Sequence, residues 1–147
     1  MTNGRAGEIH EGGCRCGAIR YRATAAPYAT SLCHCRSCRL SAGAPSQAWV
    51  IFNEDDVRIT GGELSIHESS PGVERGFCGK CGTSISYTRA NRPGFFDVTT
   101  ASLDDPDTLP PSKEIWTSQR LSWAAANPAL PQFDQFSAPP NSAGPLA

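Results

Sequence analysis

The side chains with the most chemistry in this sequence are its seven cysteines, and they are clustered: Cys14-Arg15-Cys16, Cys33-His34-Cys35-Arg36-Ser37-Cys38 and Cys78-Gly79-Lys80-Cys81. An odd number excludes complete disulfide pairing, and clustered thiols outside an oxidising compartment read as metal ligands. Paired knuckles of the Cys-x-x-Cys kind match zinc spacing better than iron–sulfur spacing. Zinc holds thiolates at about 2.3 Å, which sets the sulfurs about 3.8 Å apart. A Cys-x-x-Cys turn reaches that separation, and Gly79 and Gly82 suit its tightness. Alternate residues of a flat strand lie about 6.6 Å apart, too far for one tetrahedron. The chain is therefore expected to curl at Cys14-Arg15-Cys16, where Gly12, Gly13 and Gly17 make a curl cheap.

Seven donors divide naturally into four and three. Four thiolates close a structural zinc site, whereas three leave a position for water or substrate. Cys33, Cys35 and Cys38 are contiguous and form the expected open, catalytic set; Cys14, Cys16, Cys78 and Cys81 form the expected closed one. Spacing also permits an interleaved arrangement in which Cys33 and Cys35 join either outer pair. Adjacent side chains in an extended chain diverge, so His34 is expected not to be a ligand. If it were one, both sites would be sealed and the chain would read as a binding module for a protein or nucleic acid. Metal-free, oxidisable Cys33 and Cys38 would read as a redox sensor. His10 and His67 are expected to be ordinary surface or strand residues.

These ligands need a scaffold. The 147 residues suffice for one domain, expected over residues 10–136, with a flexible start at 1–9 and a disordered tail at 137–147 rich in Pro, Ser, Ala and Gly. No long stretch has a 3.6-residue apolar period. Short β-prone runs separated by Gly, Pro, Asn and Asp recur instead, at 18–23, 48–52, 57–60, 64–67, 83–87 and 95–99, with a last candidate at 113–117. The pattern predicts a mainly antiparallel β fold with two short helices, one after Cys35 through Ala42 and one near 102–107. Leu121, Trp123, Leu130 and Phe133 are expected to anchor the C-terminal stretch by packing.

The 13 basic and 14 acidic residues give a net charge of -1, without the basic surplus of a nucleic-acid binder. The first residues lack a signal peptide's apolar core, and no run is long enough to cross a bilayer, so a cytoplasmic location is expected.

The chain resembles the glutathione-dependent formaldehyde-activating enzyme family over about residues 12–133. The resemblance rests on Gly13-Cys14-Arg15-Cys16-Gly17, Cys33-His34-Cys35-Arg36-Ser37-Cys38-Arg39 with Gly43 beyond it, and Phe77-Cys78-Gly79-Lys80-Cys81-Gly82-Thr83. It extends to Ser102-Leu103-Asp104-Asp105-Pro106, Trp123 and Leu130-Pro131. The resemblance implies several short, coiled β-sheets around two zinc sites: a structural one on Cys14, Cys16, Cys78 and Cys81, and a catalytic one on Cys33, Cys35 and Cys38. It further implies carbon–sulfur lyase chemistry in which a thiol such as glutathione adds to, or leaves, an aldehyde. Glu114 stands where relatives often have His, Ala42 replaces a frequent hydroxyl residue, and Ser46 occupies a commonly aromatic position, so a pocket altered near Ala42 and Ser46 is expected. Arg36, Arg39, Arg75, Lys80, Arg89 and Arg92 could grip a substrate carboxylate, but each is expected to be a solvated surface residue.

Overall fold

A computed structural model describes residues 7–137. Among these residues ten strands run in chain order as β1 (His10–Gly13), β2 (Arg20–Ala23), β3 (Ala29–Cys33), β4 (Gln47–Asn53), β5 (Val57–Gly61), β6 (Ser65–Ser70), β7 (Val73–Phe77), β8 (Ser84–Arg89), β9 (Phe95–Thr99) and β10 (Glu114–Ile115), with one α-helix, α1 (Arg36–Ala42), after β3. They form a three-stranded sheet, β1-β2-β5, and a seven-stranded sheet, β10-β3-β4-β9-β8-β7-β6. All pairings are antiparallel except β10 with β3. The expected mainly β architecture is the one found. Expectations for residues 1–6 and 138–147 lie outside the described residues.

The period-2 alternation of the large sheet separates two cores. Val50, Phe52 and Val98 point to one side, where they pack with Tyr21, Ala23 and Ile19 around the small sheet. Trp49, Ile51 and Cys33 point to the other, where they meet Cys38, Ile115 and the C-terminal aromatics Trp116, Phe133 and Phe136. An irregularity between Gly76 and Phe77 pairs Gly76 with Ser86 and Phe77 with Ser84. Ile85 is thereby left over as the bulge residue, and it turns into the first core.

Three strands escape the sequence pattern. β1 is half glycine, yet Gly12 is where the chain passes Tyr21: a Cβ there would run into the Tyr21 hydroxyl and the Ser102 carbonyl. β3 lacks apolar alternation, and the charges and Gly76 of β7 hide its period. The helix expected near 102–107 does not form; two 3-10 turns, Thr100–Ser102 and Pro106–Thr108, flank an extended Leu103 that bridges Gly12 and is buried. Leu103 gains more from the core than from a helical turn, and Pro106 could not sit inside that helix. The last strand shrinks to Glu114–Ile115. Trp123 is 71% exposed, contrary to its expected packing role, because a turn between Leu121 and Ala124 directs it outward. No helix among the described residues is long and apolar enough to cross a membrane.

Candidate metal centres and the adjoining cavity

The four outer cysteines converge although 62 residues separate Cys16 from Cys78. Two knuckles face each other. In one, the Cys81 N–H points at the Cys78 sulfur (3.5 Å) while Gly82 N–H donates to the Cys78 carbonyl (2.8 Å). In the other, the Ile19 N–H donates to the Cys14 sulfur (3.1 Å), and Gly17 N–H to the Cys14 carbonyl (3.1 Å). Gly17 and Gly82 close these turns at φ +80° and +81°, a region that disfavours a Cβ. Thr83 joins the knuckles: its hydroxyl accepts from the Arg15 N–H (3.1 Å) and lies 3.2 Å from the Cys81 sulfur. Hydrogen bonds from the Thr83 hydroxyl and backbone lower the Cys81 thiol to about 5. Sulfur separations are 3.6 Å for Cys14–Cys16 and 3.8 Å for Cys16–Cys78. That is the edge of a zinc–thiolate tetrahedron.

The second cluster forms where β3 runs into α1. Cys33 ends β3 on the face of Trp49 and Ile51. His34 stays extended, its N–H bonded to the Ile115 carbonyl (3.1 Å), so Cys33 and Cys35 share a side and His34 takes the other. Cys35 then caps α1, its sulfur accepting from the Cys38 N–H at 3.3 Å. The cap thus draws Cys35 and Cys38 together. The three sulfurs lie within 4.8 Å of one another, as do the four of the first cluster. Hydrogen bonds from Cys33 and Cys38 pull the Cys35 thiol down to about 2, while its bond with Cys35 pushes Cys33 up. Both donor sets can bind a metal ion and are compatible with zinc.

His34 belongs to neither cluster. Its Nε2 lies 2.6 Å from Glu114 Oε1, and Glu114 Oε2 accepts from the Asn127 N–H (2.7 Å) and Gln132 Nε2 (2.8 Å). Glu114 is fully buried; burial pushes its carboxyl up, but the bonds from Gln132, His34 and Asn127 hold it below its ordinary value. This hub ties the stretch from β10 to Phe136 to the ligand loop.

That stretch roofs a cavity of about 200 Å³ lined by Cys33, Cys35, Cys38, Trp49, Tyr87 and Trp116, with Arg75 and Phe136 also on its wall. Trp116 adopts φ 55°, the one positive value outside glycine among the described residues, and stacks edge-on against Phe136 at 5.2 Å. A non-glycine residue held there costs about 1–2 kcal/mol, and the strain sits on the cavity wall. A wider groove of about 640 Å³, lined by Arg36, Gln47, His67, Ser69 and Ser84, shares Ser37, Trp49 and Arg75 with the cavity.

Residues 9–119 match the family of glutathione-dependent formaldehyde-activating enzymes. The chain belongs to this family. A Halomonas elongata protein provisionally named for the same activity is 30% identical over 112 residues, covering 70% of this chain and 71% of that one. An uncharacterized lyase of Schizosaccharomyces pombe is 32% identical over 91 residues, 60% of this chain and 66% of that protein. A crystal structure of a Rhodobacter sphaeroides protein superposes with a TM-score of 0.54 over 84% of this chain and 98% of that one; at 18% identity the likeness is one of fold.

Within this family framework several expectations need correction. Arg75, Arg89 and Arg92 are buried rather than solvated, at 8%, 9% and 3% exposure. Arg92 pairs with the fully buried Asp97 at 2.6 Å. Arg75 stacks on Tyr87 at 4.9 Å and reaches the second cluster. Arg36 and Lys80 are exposed as expected, and Arg39 is half-buried. Ala42 and Ser46 line neither the cavity nor the groove; Ala42 lies instead on a separate depression with Cys14, Arg20 and Thr83. His10 and His67 are strand residues as expected, His67 exposed and His10 half-buried and bonded to Glu8 at 2.8 Å. Sequence reasoning missed Tyr87, Trp116 and Phe136 as cavity residues. The odd-numbered positions of β7 and β8, once those strands are recognised, would have placed Arg75 and Tyr87 on one face.

Proposed function

We propose that this chain is a zinc-dependent carbon–sulfur lyase that joins a thiol to an aldehyde or releases the adduct, glutathione and formaldehyde being the substrates the family name implies. The observation that carries the reading is the difference between the clusters: four sulfurs gathered from remote segments, against three that line a cavity. In this reading Cys14, Cys16, Cys78 and Cys81 hold a structural zinc, and Cys33, Cys35 and Cys38 a catalytic one. A zinc ion with three protein thiolates supplies a position at which an incoming thiol is stabilised as thiolate at neutral pH.

The protein groups do the rest. The groove receives the body of the thiol and leads its sulfur past Ser37 and Trp49 to the trio. Trp49, Tyr87 and Trp116 form the apolar wall of the cavity where the aldehyde is held. Addition forms one sulfur–carbon bond at the expense of the carbonyl π bond, and the thiol's proton passes through solvent to the carbonyl oxygen; release is the reverse. A sealed binding module would need a fourth protein ligand, and neither ring nitrogen of His34 joins the group formed by the three sulfurs. We further propose that residues 10–136 act as one domain and that the protein works in the cytoplasm, where seven free thiols stay reduced.

Cys35→Ser tests the reading. The variant should lose one of two bound metals and the formation of thiol–aldehyde adduct, followed by NMR with glutathione and formaldehyde, while the other metal and the fold remain. Full activity in a Cys35→Ser protein would refute it.

A further inference from the structure

Arg75 is 8% exposed, and no carboxylate lies within ion-pair distance of it among the described residues. Its Nε donates to the Ser69 hydroxyl at 3.2 Å, and its plane packs over the Tyr87 ring at 4.9 Å. Both terminal nitrogens face the Cys38 sulfur, Nη1 at 3.9 Å and Nη2 at 3.8 Å. Guanidinium does not give up its proton, and a buried charge persists only with a compensating partner. The neighbouring Arg92 cannot help, being cationic itself and hydrogen-bonded to Asp97. Ser69 and Tyr87 are neutral, so the anion that Arg75 requires is the cysteine trio.

We propose that Arg75 is the built-in counter-ion of the second site, a positioning residue that orients the Cys38 sulfur and offsets the charge of the loaded centre. The inference rests on the reading that Cys33, Cys35 and Cys38 hold a divalent metal ion. Three thiolates and a divalent ion sum to one negative charge. With Arg75 the ensemble is neutral, and an arriving substrate thiolate brings one negative charge rather than a second. Without it, that thiolate would enter a buried site already anionic. The fork geometry matters as well: the same guanidinium bonds Ser69 through Nε and faces sulfur through both Nη atoms, so its position is fixed by β7 and by the end of β6. Lysine would keep the charge and lose the fork. Arg75 also lies on the wall shared by cavity and groove, where the thiol must pass.

The test uses the full chain loaded with Co²⁺ and titrated with a chelator, comparing wild type with Arg75→Gln and Arg75→Lys. Loss of an outer-shell partner should weaken the second metal about 10–100-fold in Arg75→Gln, with Arg75→Lys between the two. The sulfur-to-cobalt absorption should shift, and the glutathione concentration that perturbs the cobalt spectrum should rise. The first metal and the melting temperature measured with both sites filled serve as controls, since loss of stacking on Tyr87 alone would move stability without changing second-site affinity selectively. Wild type binding a single metal would overturn the reading beneath the inference. Two metals in wild type, with unchanged second-site affinity and spectrum in Arg75→Gln, would overturn the role of Arg75 and leave that reading intact.

Discussion

Glu114 offers a test of how the C-terminal roof is fastened to the ligand loop. Its carboxylate is fully buried and takes three hydrogen bonds, from His34 (2.6 Å), Asn127 (2.7 Å) and Gln132 (2.8 Å). In Glu114→Ala the donors on Asn127 and Gln132 can turn to water, because those residues are exposed, but His34 at 2% exposure cannot. Bonds to a charged acceptor contribute about 1.5–3 kcal/mol each, and a stranded buried donor costs about 1–3 kcal/mol. A loss of about 3–5 kcal/mol is expected, in line with breaking a buried pair from one side. For a domain of this size that lowers the melting temperature by roughly 10–15 °C. Glu114→Gln should cost only about 1–2 kcal/mol, since its amide oxygen can still accept from Asn127 and Gln132 while its NH₂ fills the place beside His34 Nε2. Thermal unfolding of metal-loaded protein, followed by far-ultraviolet circular dichroism, separates the three. The pH dependence gives a second handle. The native carboxyl lies below its ordinary value of 4.5, so its contribution is present above that value and lost as pH falls through the native one. Wild type and Glu114→Gln should therefore converge in acid. A Glu114→Ala protein within about 1 kcal/mol of wild type would refute the hub.

The two metal sites should respond differently to loss of a ligand, and the buried Arg92–Asp97 pair should respond to pH in the opposite sense to Glu114. A structural zinc–thiolate site contributes about 10–16 kcal/mol to folding, as much as a whole domain's net stability of about 5–15 kcal/mol. Cys14→Ser should therefore give an unfolded chain by circular dichroism, and a folded, metal-free Cys14→Ser protein under native mass spectrometry would contradict this. Burial pushes Asp97 up to about 7 while Arg92 pulls it back. The native state thus holds a proton that the unfolded chain releases near 3.8, and stability falls as pH rises from about 4 to about 7. Asp97→Asn should remove that slope in urea unfolding; an unaltered pH profile would show that Asp97 titrates normally.

The sequence alone was enough to establish both ligand sets as candidates, the mainly β class and the helix after Cys35, because these rest on local facts. Cysteines two or three residues apart can meet through one turn, the β-prone run at 95–99 is visible without a partner strand, and Cys35 caps the helix that begins beside it. Where the expectations failed, non-local contacts outweighed local ones. Leu103 left its helix for a bridge to Gly12, and Trp123 turned outward while Trp116, Phe133 and Phe136 filled the second core. Only the tertiary structure could turn the four-and-three division from one option into an arrangement, since joining Cys16 to Cys78 depends on strand pairings that no short window records. It also converted Arg75 from an expected surface charge into a buried neighbour of Cys38, because register across β7 and β8 decides which face a side chain takes and a one-residue slip would reverse it.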